Sequence, residues 1–221
     1  MFNVLNKTTH ISDKINTSMD EVIINIIHTS LVKDNFSFLV DFVDQKRKEK
    51  ALKFLHEKDQ LLSLGAGFLL RACLPVGEIK INEYGKPYLE EGPLFNISHS
   101  GEYSVLAIHQ DREVGVDIEE IDAKQNDAIR YVLNYSEQEI TDTQALFQMW
   151  STKEAIVKCT SRGIKDIKSV DGMPFEGVRN INGKEYYVKS LIYENYSLSV
   201  ALLGNKPFNI KINRINSLEE K

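Results

Sequence analysis

Two acidic side chains stand two residues apart in an otherwise apolar segment near the middle of the chain. The segment reads Val-Gly-Val-Asp-Ile-Glu over residues 114–119. Because alternate residues of a strand point to the same face, Asp117 and Glu119 share one face with Gly115. Carboxylates at this spacing suit a hard cation such as Mg²⁺, which also takes phosphate oxygens and water. The alternative is an amphipathic strand whose polar face meets water.

A carboxylate and an ammonium group follow in Trp-Ser-Thr-Lys-Glu-Ala-Ile-Val-Lys, residues 150–158. Glu154 and Lys158 are four residues apart, so they share one face of a helix. Trp150 lies about one turn before Glu154 on nearly the same side, which places both charges at the border of the buried stripe. This placement suits metal binding, base catalysis and neutralisation of a phosphate. The alternative is an ordinary surface pair, which contributes roughly a few tenths of a kcal/mol.

A histidine between two serines is the third chemical feature. It lies in Phe-Asn-Ile-Ser-His-Ser-Gly, residues 95–101, after a short strand and before a glycine. Ser98 and His99 offer a hydroxyl and a ring nitrogen to a phosphate. Equally, His99 could be a turn histidine satisfied by the backbone. We exclude a metal site here because no second histidine stands at ligand spacing.

The fourth feature is the basic run Lys-Arg-Lys-Glu-Lys, residues 46–50. A run of this kind is typical of a solvated helix face. Arg47 and Lys50, three residues apart, would nonetheless form a compact clamp for a phosphate monoester. Ser63 lies near the small residues Gly65–Gly67, where a ligand could come close.

The elements that must position these residues follow from hydrophobic periodicity and turn residues. The predicted elements are a buried strand over residues 22–29, a helix over 61–73 that Pro75 ends, and strands over 104–109 and 114–119. Ser136 with Glu139 fits a capping box, after which a helix runs to about Thr160. The C-terminal part is mostly strands, with a hairpin turned at Asn182-Gly183. This order indicates an α+β fold rather than regular βαβ alternation.

The bulk composition excludes several classes of protein. The chain has 221 residues, 42% of them hydrophobic, which is enough to bury a sizeable core. Its formal net charge of −5 argues against a general nucleic-acid binder. Cys73 and Cys159 show no metal-ligand spacing and are expected to be reduced thiols of a cytoplasmic protein. We find no signal peptide and no apolar run of membrane-spanning length, so we expect no membrane partner.

The order of these segments resembles the surfactin-synthetase-activating (Sfp-type) 4′-phosphopantetheinyl transferases. The motifs that carry the resemblance are Gly85-Lys-Pro87, Phe95-Asn-Ile-Ser-His-Ser-Gly101, Val114-Gly-Val-Asp-Ile-Glu119 and Trp150-Ser-Thr-Lys-Glu-Ala155 with Lys158. The combination of the last two is specific. The resemblance implies a pseudo-dimer of two similar α+β halves, each a small, mostly antiparallel sheet with packed helices. Coenzyme A would bind in the cleft between them.

The resemblance also implies roles for individual residues. Glu154 and Lys158 are the implied catalytic residues, and Lys158 would neutralise the phosphate being cleaved. The implied Mg²⁺ ligands are Asp117, Glu119 and Glu154. The implied coenzyme A contacts are Ser98 and His99 at the pyrophosphate and 3′-phosphate, Lys86 on the nucleotide side, Arg47 and Lys50 as the 3′-phosphate clamp, and Ser63 near that same phosphate.

The implied activity is transfer of phosphopantetheine from coenzyme A to a serine of an apo acyl or peptidyl carrier protein. Mg²⁺ is the implied cofactor, and 3′,5′-ADP is released. The alternative is a non-catalytic relative that binds coenzyme A or a carrier protein, but such a module would not need the whole set of three carboxylates and Lys158. No P-loop or kinase-type glycine-rich motif supports another phosphoryl-transfer enzyme. A monomer is expected because a pseudo-dimer already supplies both sides of the cleft.

The chain is expected to divide into an N-terminal extension, residues 1–20, an N-terminal half on the 3′-phosphate side, residues 21–108, and a C-terminal half with the metal ligands and catalytic helix, residues 109–221. The extension lies outside the family pattern. The family's loop after the catalytic lysine usually has two glycines, but Thr160-Ser-Arg-Gly163 keeps only the second. Because only glycine takes left-handed torsions freely, we expect a differently shaped loop near the carrier-protein face.

Overall fold

The structure, a computed structural model, describes residues 20–161 and 164–218. The predicted N-terminal extension therefore lies outside the described residues apart from Asp20, and so does Gly163. Within the described ranges, no helix is both long enough and apolar enough to cross a bilayer.

The N-terminal half begins with strand β1, Glu21–His28, whose isoleucine and valine side chains are buried on both faces. Three short helices follow, α1 Thr29–Asp34, α2 Phe36–Phe42 and α3 Gln45–Leu52. Next comes the long helix α4, Glu57–Cys73, which ends before Pro75 as predicted because proline cannot continue a helix. The remaining strands are β2 Lys80–Ile81, β3 Pro87–Tyr88, β4 Leu94–Ser100 and β5 Tyr103–His109.

The C-terminal half opens with strand β6, Val114–Glu120. Its helical segments are a 3₁₀ turn Ala123–Gln125, helix α5 Asn126–Arg130, a 3₁₀ turn Tyr135–Glu137, the long helix α6 Thr143–Thr160 and a 3₁₀ turn Ile164–Ser169. Its later strands are β7 Glu176–Ile181, β8 Lys184–Tyr193, β9 Tyr196–Leu203 and β10 Asn209–Ile215. The β7–β8 hairpin turns at Asn182-Gly183 as predicted, with φ values of 52° and 76° that suit asparagine and glycine.

The two halves share one topology. In each half, a strand leads through a long helix to an antiparallel hairpin, and the hairpin's second strand pairs antiparallel with the first strand. The pairs are β5 with β1 and β9 with β6. The predicted α+β class and two-half arrangement are therefore confirmed.

The last strand crosses back to the first sheet. The sheet orders are β10-β1-β5-β4 and β6-β9-β8-β7, and β10 pairs in parallel with β1. A division of the chain after residue 108 thus leaves one strand of the N-terminal sheet on the C-terminal side. The division stays a prediction.

The two sheets pack against each other and carry the long helices on their outer faces. One apolar cluster, which includes Val22, Val105, Val116 and Val200, fills the space between the sheets. A second lies between α4 and the first sheet, and a third between α6 and the second sheet. Full burial of one such aliphatic side chain stabilises the fold by about 1.5–3 kcal/mol. The packing of the two sheets therefore fixes the position of β4 relative to β6.

The capping box stands two residues before its predicted place. Asn134 Oδ1 accepts the backbone N–H of Glu137 at 3.2 Å, and Glu137 Oε2 accepts that of Asn134 at 2.9 Å. The hydroxyl of Ser136, the predicted cap, instead donates to Asn134 Oδ1 at 2.8 Å. This box opens only a 3₁₀ turn, and Asp142 caps α6.

Ser161 ends α6 in the left-handed conformation, with φ 57°. Serine there costs roughly 1 kcal/mol relative to glycine because its Cβ crowds the backbone. Ser161 nevertheless takes the torsions that favour glycine, so the expected change in loop shape does not begin at this residue.

Candidate active site

The polar face of β6 is covered by α6 rather than by water. Val114, Val116 and Ile118 are fully buried between the sheets, as the alternation predicts. On the opposite face, Asp117 is only 1% exposed, and Glu119 is partly buried. The alternative of a polar face open to solvent is therefore wrong.

Gly115 lets α6 approach β6 at backbone distance. A Cβ atom at this position would lie 2.5 Å from the backbone nitrogen of Cys159 and would overlap the carbonyl oxygen of Ala155. Both neighbours are backbone atoms of α6, which no rotamer change can move. Gly115 thus sets how closely α6 packs on the sheet, and it brings the charged side chains of the helix over the carboxylates of β6.

Asp117 holds the ammonium group of Lys158. Lys158 Nζ lies 2.5 Å from Asp117 Oδ1 and 3.1 Å from the hydroxyl of Ser98. Ser98 donates to the same carboxylate oxygen at 2.9 Å. The other oxygen, Oδ2, is buried and finds no partner among the described residues. Asp117 thus uses one oxygen for internal bonds and leaves the second unfilled.

The carboxylate of Glu119 is held at both oxygens. Trp150 Nε1 donates to Oε1 at 3.1 Å, and the hydroxyl of Ser100 donates to Oε2 at 2.9 Å. The pKa of Glu119 is raised to about 7, first by burial and then by the charge of Asp117, although both hydrogen bonds lower it. The raised pKa indicates poorly compensated negative charge, which favours binding of a cation.

Glu154 and Lys158 face the same group of charges. Burial first, and then the charge of Asp117, raises the pKa of Glu154. Lys158 forms its ion pair with Asp117, so the surface-pair alternative for Glu154 and Lys158 is wrong. Burial alone would lower the pKa of Lys158, but the nearby carboxylates, Asp117 foremost, outweigh burial and raise it. Three carboxylates therefore lie around one ammonium group.

These carboxylates match a hard divalent cation in donor type. In the part of the chain that the structure describes, no three or more His, Cys, Asp or Glu side chains are already grouped as a metal site. Two predicted ligands nevertheless have a buried oxygen without a partner among the described residues, Oδ2 of Asp117 and Oε1 of Glu154. Such an oxygen is unfavourable unless a cation or donor satisfies it. The residues thus fit Mg²⁺, and their role as its ligands stays a prediction.

Sequence reasoning missed a polar column on β4. Its members alternate along the strand and accept backbone N–H groups of β6. The bonds run from Val116 to Asn96 Oδ1 at 2.9 Å, from Ile118 to Ser98 Oγ at 3.5 Å and from Glu120 to Ser100 Oγ at 3.1 Å. The alternation in Asn-Ile-Ser-His-Ser was the available signal, but the flanking glycines and proline favoured turns. His99 lies on this strand rather than in a turn.

His99 belongs to a positively charged neighbourhood. Its side chain is exposed on β4, yet its pKa is lowered, first by partial burial and then by the charge of Lys158. Lys50 and Arg47 lower it further. The structure thus brings the predicted clamp, the histidine and the predicted catalytic lysine, Lys158, within electrostatic reach of one another.

The two clamp residues differ in burial. Arg47 is half-buried, and its stem lies on Gly67, where a Cβ would be 2.5 Å from Arg47 Cγ. Ser63 is buried on the same face of α4 as Gly67, and its hydroxyl has no partner within the described ranges. Lys50 is exposed and lines an open cavity of about 390 Å³. The alternative that the basic run is a solvated helix face is therefore wrong for Arg47, whereas Lys50 is exposed to solvent as that alternative predicts.

Lys86 pairs with Glu113 rather than with Asp117, Glu119 or Glu154. Its Nζ lies 2.8 Å from Glu113 Oε2 and 3.0 Å from the carbonyl oxygen of Val114, and only 10% of its side chain is exposed. These bonds fasten the segment before β4 to the start of β6. The contact of Lys86 with a nucleotide stays a prediction.

A buried ion pair is the second feature that sequence reasoning missed. Lys153 is fully buried, and its Nζ lies 2.7 Å from Glu137 Oε2. The other oxygen of Glu137 accepts the N–H of Gly172 at 2.7 Å. The pair ties α6 to the capping-box turn and to the segment before β7. The spacing of charged residues in this helix does not indicate that Lys153 is buried. Its neighbour Glu154 faces Asp117 instead, so adjacent charged residues point to different surroundings.

Two family models match this chain, one over each half. A model described as the 4′-phosphopantetheinyl transferase superfamily matches residues 113–206. A model described as the N-terminal part of a 4′-phosphopantetheinyl transferase matches residues 30–111.

Individual relatives carry the same description. The chain is 32% identical over 144 residues to the 4′-phosphopantetheinyl transferase gsp of Aneurinibacillus migulanus, covering 58% of this chain and 60% of that one. It is 30% identical over 141 residues to a 4′-phosphopantetheinyl transferase of Bacillus subtilis, covering 55% and 62%. It is 36% identical over 118 residues to the 4′-phosphopantetheinyl transferase AcpT of Salmonella typhi, covering 48% and 62%. The chain thus spans about three-fifths of the length of these curated relatives.

Replacing Gly115 with alanine is expected to push α6 away from β6, because the added methyl group meets helix backbone. We expect a loss of about 1–3 kcal/mol in the free energy of unfolding, the usual effect of overpacking, measured by urea denaturation. Gly77→Ala is the matched control, since its Cβ would meet only the end of the Leu89 side chain at 3.1 Å. Equal stability of Gly115→Ala and the wild type would mean that α6 does not rest on this glycine.

Proposed function

Because the chain belongs to the 4′-phosphopantetheinyl transferase superfamily, we propose that it transfers phosphopantetheine from coenzyme A to a serine of an apo acyl or peptidyl carrier protein. The second product is 3′,5′-ADP. The supporting observation is the gathering of three carboxylates, from β6 and α6, around the ammonium group of Lys158. Such a centre suits a cation, a diphosphate and a hydroxyl nucleophile together.

Mg²⁺ is the cofactor in this proposal. Asp117, Glu119 and Glu154 would hold it, and the unfilled oxygens of Asp117 and Glu154 support the assignment. When bound, Mg²⁺ would stabilise the negative charge that builds up on the pyrophosphate oxygens in the transition state.

Glu154 is the proposed general base. With Oε1 assigned to the cation, the second carboxylate oxygen, Oε2, is the one that would accept the proton of the carrier serine hydroxyl. The raised pKa of Glu154 makes it a stronger base at neutral pH than an ordinary carboxylate. The serine oxygen bonds to the β-phosphorus, and the bond from phosphorus to the 3′,5′-ADP oxygen breaks. 3′,5′-ADP leaves with that electron pair, and the proton stays on Glu154.

Lys158 is the proposed contact of the phosphate being cleaved. An ammonium group has three N–H donors. Asp117 and Ser98 accept two of them, so one donor is left for a phosphate oxygen. Its raised pKa keeps Lys158 charged at neutral pH, which stabilises the negative charge of the transition state.

The 3′-phosphate of coenzyme A is assigned to the region around Arg47, Lys50 and His99. Arg47 presents a planar guanidinium that can bind two phosphate oxygens at once. Lys50 and His99 lie near it, and the unpartnered hydroxyl of Ser63 supplies a neutral donor. Lys86 is assigned to the nucleotide side, where a phosphate oxygen would compete with Glu113 for its ammonium group.

We assign the enzyme to the cytoplasm as a monomer. Cys73 and Cys159 are both free thiols, which supports a reducing compartment. Both halves come from one chain, so a second copy is not needed to complete the cleft. The net charge of −5 supports the exclusion of nucleic acid as a partner.

The proposed activity is tested by incubating the full chain with coenzyme A, Mg²⁺ and an apo carrier protein and then weighing the carrier. A gain of one phosphopantetheine mass, abolished by EDTA, is the expected result. A carrier of unchanged mass, together with measurable binding of coenzyme A, would instead indicate a non-catalytic relative.

Glu154→Gln is expected to lower turnover by at least about a hundredfold, the effect of a lost general base. The glutamine keeps the size of the side chain but cannot accept the serine proton. Steady-state transfer to an apo carrier protein gives the measurement. Glu139→Gln, at an exposed position outside the site, is the control and should keep full turnover. Unchanged turnover in Glu154→Gln would remove Glu154 from the mechanism.

Arg47→Ala and Lys50→Ala are each expected to raise the KM for coenzyme A by about ten- to a hundredfold, because a charge-assisted hydrogen bond contributes roughly 1.5–3 kcal/mol. The increase should largely vanish with 3′-dephospho-coenzyme A, which lacks the phosphate they are proposed to hold. Lys48→Ala is the control on the same helix, since Lys48 pairs with Asp41 instead. Equal penalties on both substrates would show that the basic run does not recognise the 3′-phosphate.

A further inference from the structure

The Glu119 carboxylate receives one neutral hydrogen-bond donor at each oxygen. The indole N–H of Trp150 reaches Oε1, and the hydroxyl of Ser100 reaches Oε2. Trp150 belongs to α6 in the C-terminal half, and Ser100 belongs to β4 in the N-terminal half. The orientation of this carboxylate is therefore defined by both halves of the molecule.

The two donors are themselves fixed in place. Trp150 is partly buried and packs against two apolar clusters, the one between α6 and the second sheet and the one that contains Leu146 and Met149. The Ser100 oxygen also accepts the backbone N–H of Glu120 at 3.1 Å. Neither donor can rotate away from Glu119 without losing contacts elsewhere.

Neutral donors orient a carboxylate without cancelling its charge. A carboxylate has about four lone-pair positions, and two bonds leave about two of them for a cation. Asp117 differs, because its Oδ1 is already paired with the ammonium group of Lys158. Glu119 is thus the carboxylate of the group that is both held in orientation and free of a direct ion pair in the described structure.

We propose that Trp150 and Ser100 are positioning residues that orient Glu119 for a divalent cation, an inference that rests on the proposed function and on Glu119 as a ligand. Donors of this kind set the direction of a ligand's lone pairs, and removing one typically weakens metal binding by about ten- to a hundredfold. Trp150, the single tryptophan of the chain, also reports on the site because its indole bonds the ligand directly.

The test titrates Mg²⁺ into the full-length protein by calorimetry, with coenzyme A and without a carrier protein. Trp150→Phe keeps an aromatic ring but loses the N–H, and Ser100→Ala loses the hydroxyl. Each is expected to raise the Kd for Mg²⁺ by about ten- to a hundredfold. Ser100→Thr keeps a hydroxyl on a strand and should restore most of the affinity.

Ser104→Ala is the matched control. Ser104 is also a buried serine of the first sheet, but its hydroxyl donates to the carbonyl oxygen of Leu62 and does not touch the carboxylates. We expect its Mg²⁺ affinity to equal that of the wild type. A loss in Ser104→Ala as large as that in Ser100→Ala would attribute the effect to general destabilisation and overturn the proposal.

Two further readouts separate positioning from a merely structural role. In transfer assays, Ser100→Ala should raise the Mg²⁺ concentration needed for half-maximal rate while saturating Mg²⁺ restores most of kcat. The tryptophan emission of the wild type should change on addition of Mg²⁺, and in Ser100→Ala the same change should need more Mg²⁺. Unaltered Mg²⁺ affinity in both Trp150→Phe and Ser100→Ala would overturn the proposal.

The calorimetric comparison does not depend on transfer to a carrier. Suppose that the wild type labels no carrier and that both variants bind Mg²⁺ more weakly than the wild type. This result would overturn the proposed function and support the positioning role. If the wild type transfers phosphopantetheine but both variants bind Mg²⁺ as tightly as the wild type, the proposed function is supported and the positioning role is overturned.

Discussion

The contact between β4 and β6 governs the geometry of the whole site. Each is the edge strand of its own sheet, and an edge strand exposes backbone N–H groups that need partners. Here the side chains of Asn96, Ser98 and Ser100 accept N–H groups of β6, in place of a strand ladder. The two serines also donate to the carboxylates of β6. The same hydroxyls therefore join the two halves and orient the acidic residues.

A site that gathers two carboxylates beneath a helix and a third on that helix requires close packing and compensating charge. Gly115 supplies the close approach, and Lys158 supplies the charge. The buried pair of Lys153 and Glu137 holds the same helix to a neighbouring turn. Breaking a buried pair by removing one partner typically costs about 3–5 kcal/mol. Helix α6 is thus fixed on two sides, and the face that carries Glu154 and Lys158 cannot shift independently.

The charges are arranged in two adjoining regions of opposite sign. The carboxylates of β6 and α6 form the negative region, which suits a cation, and Arg47 and Lys50, beside His99, form the positive one, which suits phosphate. Lys158 lies between them and interacts with both, since it pairs with Asp117 and also lowers the pKa of His99. A ligand that carries a diphosphate and a separate phosphate matches this arrangement, because a cation in the negative region can hold the diphosphate and the positive region can hold the separate phosphate.

Local periodicity in the sequence determined strands β1, β5 and β6, the two long helices and the sharing of one face by Asp117 and Glu119, because each depends only on near neighbours within one element. The order of the motifs along the chain indicated the family. Only the tertiary structure decided that Lys158 pairs with Asp117, that Ser100 and Trp150 hold Glu119, and that β10 joins the first sheet. These contacts join residues far apart in the chain, and the packing of whole elements, which no local spacing records, brings them together.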